Sequence, residues 1–298
     1  MASLYTQQAR NVRKTWLLMG TFLLLVIAIG YAISWYYQSS IFLYVAVAFA
    51  FIMNFYSYWN SHKLVLRMTG ARPVTKQEAP ELYNIVENLA ITTGLPMPKV
   101  YIIDDPAPNA FATGRNPENA VVAATTGLLQ MLNRSELEGV MAHEMAHVQN
   151  RDMLVMTVAV VLAGFIAIIA DFFARALFWG GGNRDRSPIF LVIGLVGIIL
   201  APIAAQMIQL AISRRREYLA DASAALMTRY PEGLASALEK ISGYSQPMRR
   251  TSHATAHLFI SDPYGKSKRQ SIGSWFNGLF RTHPPAEKRI ASLRGIRV

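Results

Sequence analysis

Apolar positions along this chain fall into two long blocks, and the polar stretches that follow each block alternate in the manner of a folded α/β unit. No charged residue occurs between Lys14 and Lys63. A membrane-crossing helix takes about 20 apolar residues, so this block holds two, broken at the polar turn Gln38-Ser39-Ser40. The predicted spans are Trp16–Tyr37 and Ile41–Tyr58. Trp16, Trp35, Tyr36, Tyr37, Tyr58 and Trp59 stand at their ends, where amphipathic rings favour the headgroup level. The second block is uncharged from Met153 to Ala170 and meets Asp171 and Arg175. It turns at Gly180-Gly181-Gly182-Asn183 and is uncharged again from Ser187 to Ser213. Each run reaches roughly the 18 residues a span requires, which predicts a second spanning pair. A helical hairpin buried in a water-soluble domain is the alternative.

Between the blocks, Leu82, Ile85, Val86 and Leu89 recur at helical spacing and Gly94 follows, predicting a helix over Pro80–Thr93. Val100–Ile103 and Ala120–Thr125 are β-rich runs bounded by Pro, Asn and Gly, predicting strands. Asn109–Gly114 reads as an edge strand or a loop. Ser135 with Glu138 predicts a capping box opening a helix that runs to Asn150. The fold class expected is an α-rich membrane protein, with about four transmembrane helices and a cytoplasmic α+β domain carrying a small sheet. The predicted segments are 1–62 (hairpin), 63–152 (first part of the polar domain), 153–213 (second hairpin) and 214–298 (second part).

Composition sharpens this picture. Hydrophobic residues are 52% of the chain and charged ones 16%, against roughly 25% charged in an ordinary soluble domain. There is no Cys, which excludes a disulfide framework, a thiolate metal site and a thiol nucleophile. The net charge of +11 could mark a nucleic-acid partner, but its distribution argues otherwise. The turn 38–40 has no Lys or Arg, whereas 63–152 has eight and 214–298 has fifteen. Positive-inside counting places both termini and both polar segments in the cytoplasm, so the charge reflects topology and no nucleic acid is expected.

The chemistry lies at His143-Glu144-Met145-Ala146-His147. Two His at i and i+4 share one helical face, as a tetrahedral zinc requires, and Glu144 can reach water on such a metal. A chance H-E-x-x-H has a probability on the order of 1% over a chain of this composition. The third ligand must be a His or a carboxylate. Glu217 and Asp221, spaced i, i+4, can present a ligand and an acceptor that orients a His N–H. His62, His253 and His257 compete.

These residues, with Asn150-Arg151-Asp152, Glu217-Tyr218-Leu219-Ala220-Asp221, Asn109–Gly114 and Thr282-His283-Pro284-Pro285 followed by Arg289, resemble the HtpX-type membrane zinc metallopeptidases. These are relatives of the CAAX prenyl proteases. The likeness covers nearly the whole chain. It implies a gluzincin site, with one Zn²⁺ held by His143, His147 and Glu217, and with Glu144 as catalytic base. It also implies membrane-protein substrates and quality control in a bacterial cytoplasmic membrane. By the same resemblance His283 and Arg289 are candidate donors to the transition state; the alternative is a helix-start motif in which Arg289 pairs with Glu287 or the C-terminal region. Asn109–Gly114 is a candidate to hold substrate by strand addition. A prenyl-protein endopeptidase, or a non-catalytic membrane adaptor with a structural metal, is the competing function.

The spacing adds a constraint. His147 lies just before the second block and Glu217 just after it, so a metal between them sits within roughly 10 Å of the membrane exits. Cleavage close to the cytoplasmic leaflet is expected. Separately, Ile272, Trp275, Phe276, Leu279 and Phe280 form one apolar face, behind Lys266, Lys268 and Arg269. This segment either packs beside the site or lies on anionic lipid.

Overall fold

A computed structural model describes residues 4–179, 214–250, 255–265 and 284–296. Its first elements are two long helices, α1 (Leu4–Tyr37) and α2 (Ile41–Thr69), which fold back on one another through the turn at Gln38. Both are long and apolar enough to cross a membrane. Leu24, Phe55 and Trp35 each leave about two-thirds of their surface uncovered, an outward apolar face that suits lipid and not water.

Both helices outrun the predicted spans. Charge ends a membrane-compatible run but does not end a helix, and nothing after Tyr58 breaks the hydrogen-bond ladder. α2 therefore continues past Lys63 and Arg67 until Gly70, whose φ of 70° closes it in the left-handed conformation, where a Cβ is disfavoured. The expected segment border at 62/63 falls inside this helix.

The polar domain starts with a short strand, β1 (Arg72–Pro73), and helix α3 (Pro80–Thr93), bounded as expected by Pro at its first turn and Gly94 after its last. Strands β2 (Lys99–Ile103), β3 (Ala110–Thr113) and β4 (Val121–Thr125) complete a sheet in the order β1-β2-β4-β3. β4 runs parallel to β2, with Val100 opposite Val122, and antiparallel to β3, with Ala110 opposite Ala124. Asn109–Gly114 thus contains the edge strand of a mixed sheet.

A short helix, α4 (Thr126–Met131), leads to α5 (Arg134–Gln149). The cap of α5 differs from the expected Ser135/Glu138 pair. Asn133 accepts the Glu136 N–H at 3.0 Å and Glu136 accepts the Asn133 N–H at 2.9 Å, a complete capping box two residues earlier. Glu136 wins because it also binds helix α8 (Pro231–Gly243), accepting from Ser236 Oγ and Lys240 Nζ, each at 2.7 Å. A Cβ on Gly139 would come within 2.6 Å of the Leu234 nitrogen, so α5 and α8 meet backbone to backbone. On its other sides α5 buries Val140, Met141 and Met145 against α3, the sheet and helix α7 (Arg214–Thr228).

After α5 the chain turns by 80° at Arg151, which takes φ 57°, and enters α6 (Asp152–Trp179). This helix passes through Asp171 and Arg175 without interruption, where the sequence suggested a turn region. Its first half packs against α1 and α2 through Leu154, Val155, Val158 and Leu162. Taken together as one bent span, α5 and the start of α6 would make a third crossing element. The Gly-rich turn and the fourth apolar run lie outside the described residues. Helix α9 (Ala286–Arg294) closes the domain against α7 and α8.

Candidate metal centre

Five elements deliver the side chains of the site. α5 presents His143 and His147 one turn apart, and their Nε2 atoms approach to 3.2 Å. α7 presents Glu217, whose carboxylate oxygens lie 3.7 Å from His143 Nε2 and 3.6 Å from His147 Nε2. All three are buried. Among the described residues they form the group of His and carboxylate side chains able to hold one ion, their ligand atoms all within 4.8 Å of one another. His62 and His257 do not join it, and His253 lies outside the described residues.

The other ring nitrogens explain this arrangement. His143 Nδ1 is 3.0 Å from Asp221 Oδ1, and His147 Nδ1 is 3.1 Å from Asp152 Oδ2. Each carboxylate accepts an Nδ1–H, which fixes the tautomer and leaves both Nε2 lone pairs facing Glu217. Two lone pairs and a carboxylate converging in a dry site repel one another unless a proton or a metal cation lies between them. The donor set of two imidazoles and one carboxylate fits a hydrolytic metal with an open position.

Charge in the site follows from burial. Burial draws His143 down to about 4, with Arg289 assisting and the Asp221 hydrogen bond opposing. Burial opposes the charged form of His147 as well, but the Asp152 hydrogen bond and the charge of Glu217 push it up to about 9. Without metal, His143 is neutral and His147 carries a second proton on Nε2; a bound cation displaces that proton and holds both rings neutral. Burial pushes Glu144 up to about 7, reinforced by Glu217 and opposed by His147, Arg289 and a hydrogen bond from the Ala112 N–H of β3.

Asp221 is itself held. Arg289 on α9 grips it with Nε on Oδ2 at 2.9 Å and Nη2 on Oδ1 at 2.6 Å, while Nη1 donates to the Ile260 carbonyl at 3.4 Å. Burial raises the Asp221 carboxyl, but the Arg289 charge and these hydrogen bonds keep it at about 2. Nη2 also lies 3.4 Å from each His143 ring nitrogen, while the His143 Nδ1–H is committed to Asp221. Arg289 pairs with Asp221 and not with Glu287. His283 and the 271–280 segment lie outside the described residues. At β3, Ile260 N–H donates to the Ala110 carbonyl at 3.0 Å and Phe259 packs edge-on against Phe111, so this end of the edge strand is already covered.

Two supports escaped the sequence. Asp152 had a visible signal, an acid directly after the helix that bears the two His, but its reach back to His147 needs the left-handed turn at Arg151. Asn11 had none. From α1 its Nδ2 donates to Asp152 Oδ1 at 2.6 Å and to the Asn150 carbonyl at 2.9 Å. Arg216 Nη1 in turn approaches Asn11 Oδ1 at 3.4 Å. The first apolar helix is therefore wired to a candidate ligand through Asn11, Asp152 and His147. Asn11→Leu is expected to weaken metal binding up to roughly tenfold, the lower end of what losing an outer partner costs, with Asn11→Asp worse because it faces Asp152. Competition with a chelating dye checks this; unchanged metal affinity in both variants would refute the connection.

A profile of Peptidase family M48 matches residues 76–297. The chain is 48% identical over 305 residues to "Protease HtpX homolog" of Caldanaerobacter subterraneus subsp. tengcongensis, covering 99% of each. It is 48% identical to the protein of that name in Thermoanaerobacter pseudethanolicus, covering 99% of this chain and 98% of the other. It is 46% identical to the one in Streptococcus gordonii, covering 98% of this chain and 99% of the other. Among solved structures it resembles the crystal structure of S. mikatae Ste24p, with a TM-score of 0.52 at 20% identity, covering 97% of this chain and 67% of that one; this likeness supports the fold. With a family match across most of its length and relatives near half identity from end to end, the chain belongs to peptidase family M48, as an HtpX-type metallopeptidase.

Proposed function

We propose that this chain is a zinc endopeptidase with four membrane spans. In this reading it cuts misfolded or damaged membrane proteins on the cytoplasmic side of the cell membrane. Residues 1–62 and 153–213 are its membrane hairpins, and 63–152 and 214–298 are the two halves of its catalytic domain. One observation carries the proposal. The His143, His147 and Glu217 donors converge beside Glu144 at the corner where α5 turns into the apolar helix α6. Substrate reaching that corner does so from the bilayer surface.

His143, His147 and Glu217 would hold one Zn²⁺ per subunit. Zinc in this donor set supplies a Lewis acid and a water acidified to a pKa of about 7. Glu144 takes the proton from the attacking water and returns it to the leaving amine. The Ala112 N–H holds the Glu144 carboxylate in place. Asp221 and Asp152 hold the two imidazoles, and Arg289, bidentate on Asp221, acts as a positioning residue. His283 is the remaining candidate for oxyanion stabilisation.

Reconstituted protein and a set of single-span substrates, with cleavable sequences set at increasing distance from the bilayer, test this. Cleavage concentrated next to the cytoplasmic leaflet, absent in Glu144→Gln, is the expected result. Robust turnover of soluble unfolded chains, with none of the membrane-anchored series, would overturn the substrate assignment.

A further inference from the structure

Arg151 of the Asn150-Arg151-Asp152 motif takes no part in the chemistry above, yet it sits at a strained position beside it. Its φ of 57° puts a non-glycine side chain in the left-handed region, a strained conformation. Its Nε is buried with no hydrogen-bond partner among the described residues, a state that ordinarily demands an explanation. Arg151 also lines a cavity of about 280 Å³ formed where α1, α2 and the chain after β3 meet. Arg151, Arg115, Asn116 and Thr15 supply its polar wall, and Trp16 and Tyr58 its aromatic one.

The charges of the cavity point one way. Arg115 has no carboxylate partner within 4 Å among the described residues, and its guanidinium lies 3.9 Å over the Trp59 ring. Glu118 also lines the cavity but is exposed, with no ion pair among the described residues. Two guanidiniums and an amide side chain thus line a space large enough for one phosphodiester and its glycerol. Forked N–H donors match phosphate oxygens geometrically.

Position distinguishes a lipid from a soluble anion. Trp16 stacks on Tyr58 with ring centroids 6.2 Å apart, Tyr58 meets Trp59 edge-on, and Phe55 follows on α2. Trp16 is largely and Trp59 partly exposed, and Leu17 and Phe55 extend the exposed surface into the apolar stretch of the hairpin. A headgroup in the cavity has acyl chains that run directly onto this surface. Indole and phenol rings at this level mark the membrane interface.

We propose that this cavity is a binding site for the headgroup of an anionic phospholipid, with Arg115 and Arg151 holding its phosphate. The proposal rests on the membrane reading above. A lipid bound there ties the chain after β3 to the α5–α6 corner. It thereby steadies the residue next to Asp152, and through Asp152 the ligand His147.

The full chain in nanodiscs of mixed phosphatidylglycerol and phosphatidylcholine tests this, with retained lipids counted by native mass spectrometry. Enrichment of phosphatidylglycerol is expected, weakened about fivefold by Arg115→Gln and again by Arg151→Gln, and strengthened by Glu118→Gln. Retained thermal midpoint and metal content exclude misfolding. If Arg151→Gln does not fold, Arg115→Gln and Glu118→Gln decide the matter by moving in opposite directions. Equal lipid counts in all variants, or displacement of the lipid by millimolar glycerol 3-phosphate, would overturn the site. A chain that fails to enter the nanodisc refutes the membrane reading itself, a result separate from loss of lipid preference in an inserted chain.

Discussion

Glu144→Gln is expected to abolish peptide hydrolysis, by roughly 10³-fold within the 10²–10⁴ attributed to a positioned acid–base, and to leave metal content unchanged. The amide is nearly isosteric with the carboxyl and its oxygen can still accept from Ala112, but it has no basic site for the proton of water. The Nδ1 partners of His143 and His147 are Asp221 and Asp152, which the substitution leaves in place, so both tautomers survive the change. A pH profile adds a second check. Burial pushes the metal-free carboxyl up to about 7, and a nearby cation favours its ionised form and brings it down. The base must be ionised to act, so activity is present above its pKa and falls as pH drops through it. The acid limb of kcat/KM therefore lies below pH 7. A Glu144→Gln protein with wild-type turnover would remove Glu144 from the mechanism.

Much of this architecture is legible without coordinates because its signals are local. Pro80–Thr93 carries its own start and stop, the β-rich runs are bounded by turn residues, and the H-E-x-x-H spacing encodes one face of one helix. The misplaced cap of α5 shows where local reading fails. Ser135 and Asn133 offer equivalent starts, and the choice belongs to Glu136, whose carboxylate also receives Ser236 and Lys240 from an element a hundred residues away. The supports of the imidazoles follow the same logic. Asp221 was readable because it shares a helical face with Glu217. Asp152 is close in sequence but depends on a left-handed turn at an arginine, and Asn11 depends on how an apolar hairpin packs against the corner of the domain. Contacts made across the fold have no periodicity to betray them.

The heaviest loss is expected from Glu217→Ala. Purified in detergent, the wild-type chain should hold about one metal per subunit, and the variant should lose it together with all hydrolysis. Removing an outer partner of a ligand costs 10–100-fold in affinity, and removing the ligand itself must cost more. The two remaining donors lie on one helix with Nε2 atoms 3.2 Å apart, so without the carboxylate from α7 the ion keeps ligands from one half of the domain alone. Thermal unfolding gives a readout independent of activity. Metal that binds only the folded state stabilises it by about 4 kcal/mol at a thousandfold excess over Kd, so a chelator should lower the wild-type midpoint and leave that of Glu217→Ala where it is. Glu217→Asp, which keeps the charge on a shorter arm, should recover part of the chelator-sensitive shift. If Glu217→Ala still binds metal stoichiometrically and responds to chelator as the wild type does, α7 does not supply the third ligand and the convergence of the two halves has another purpose.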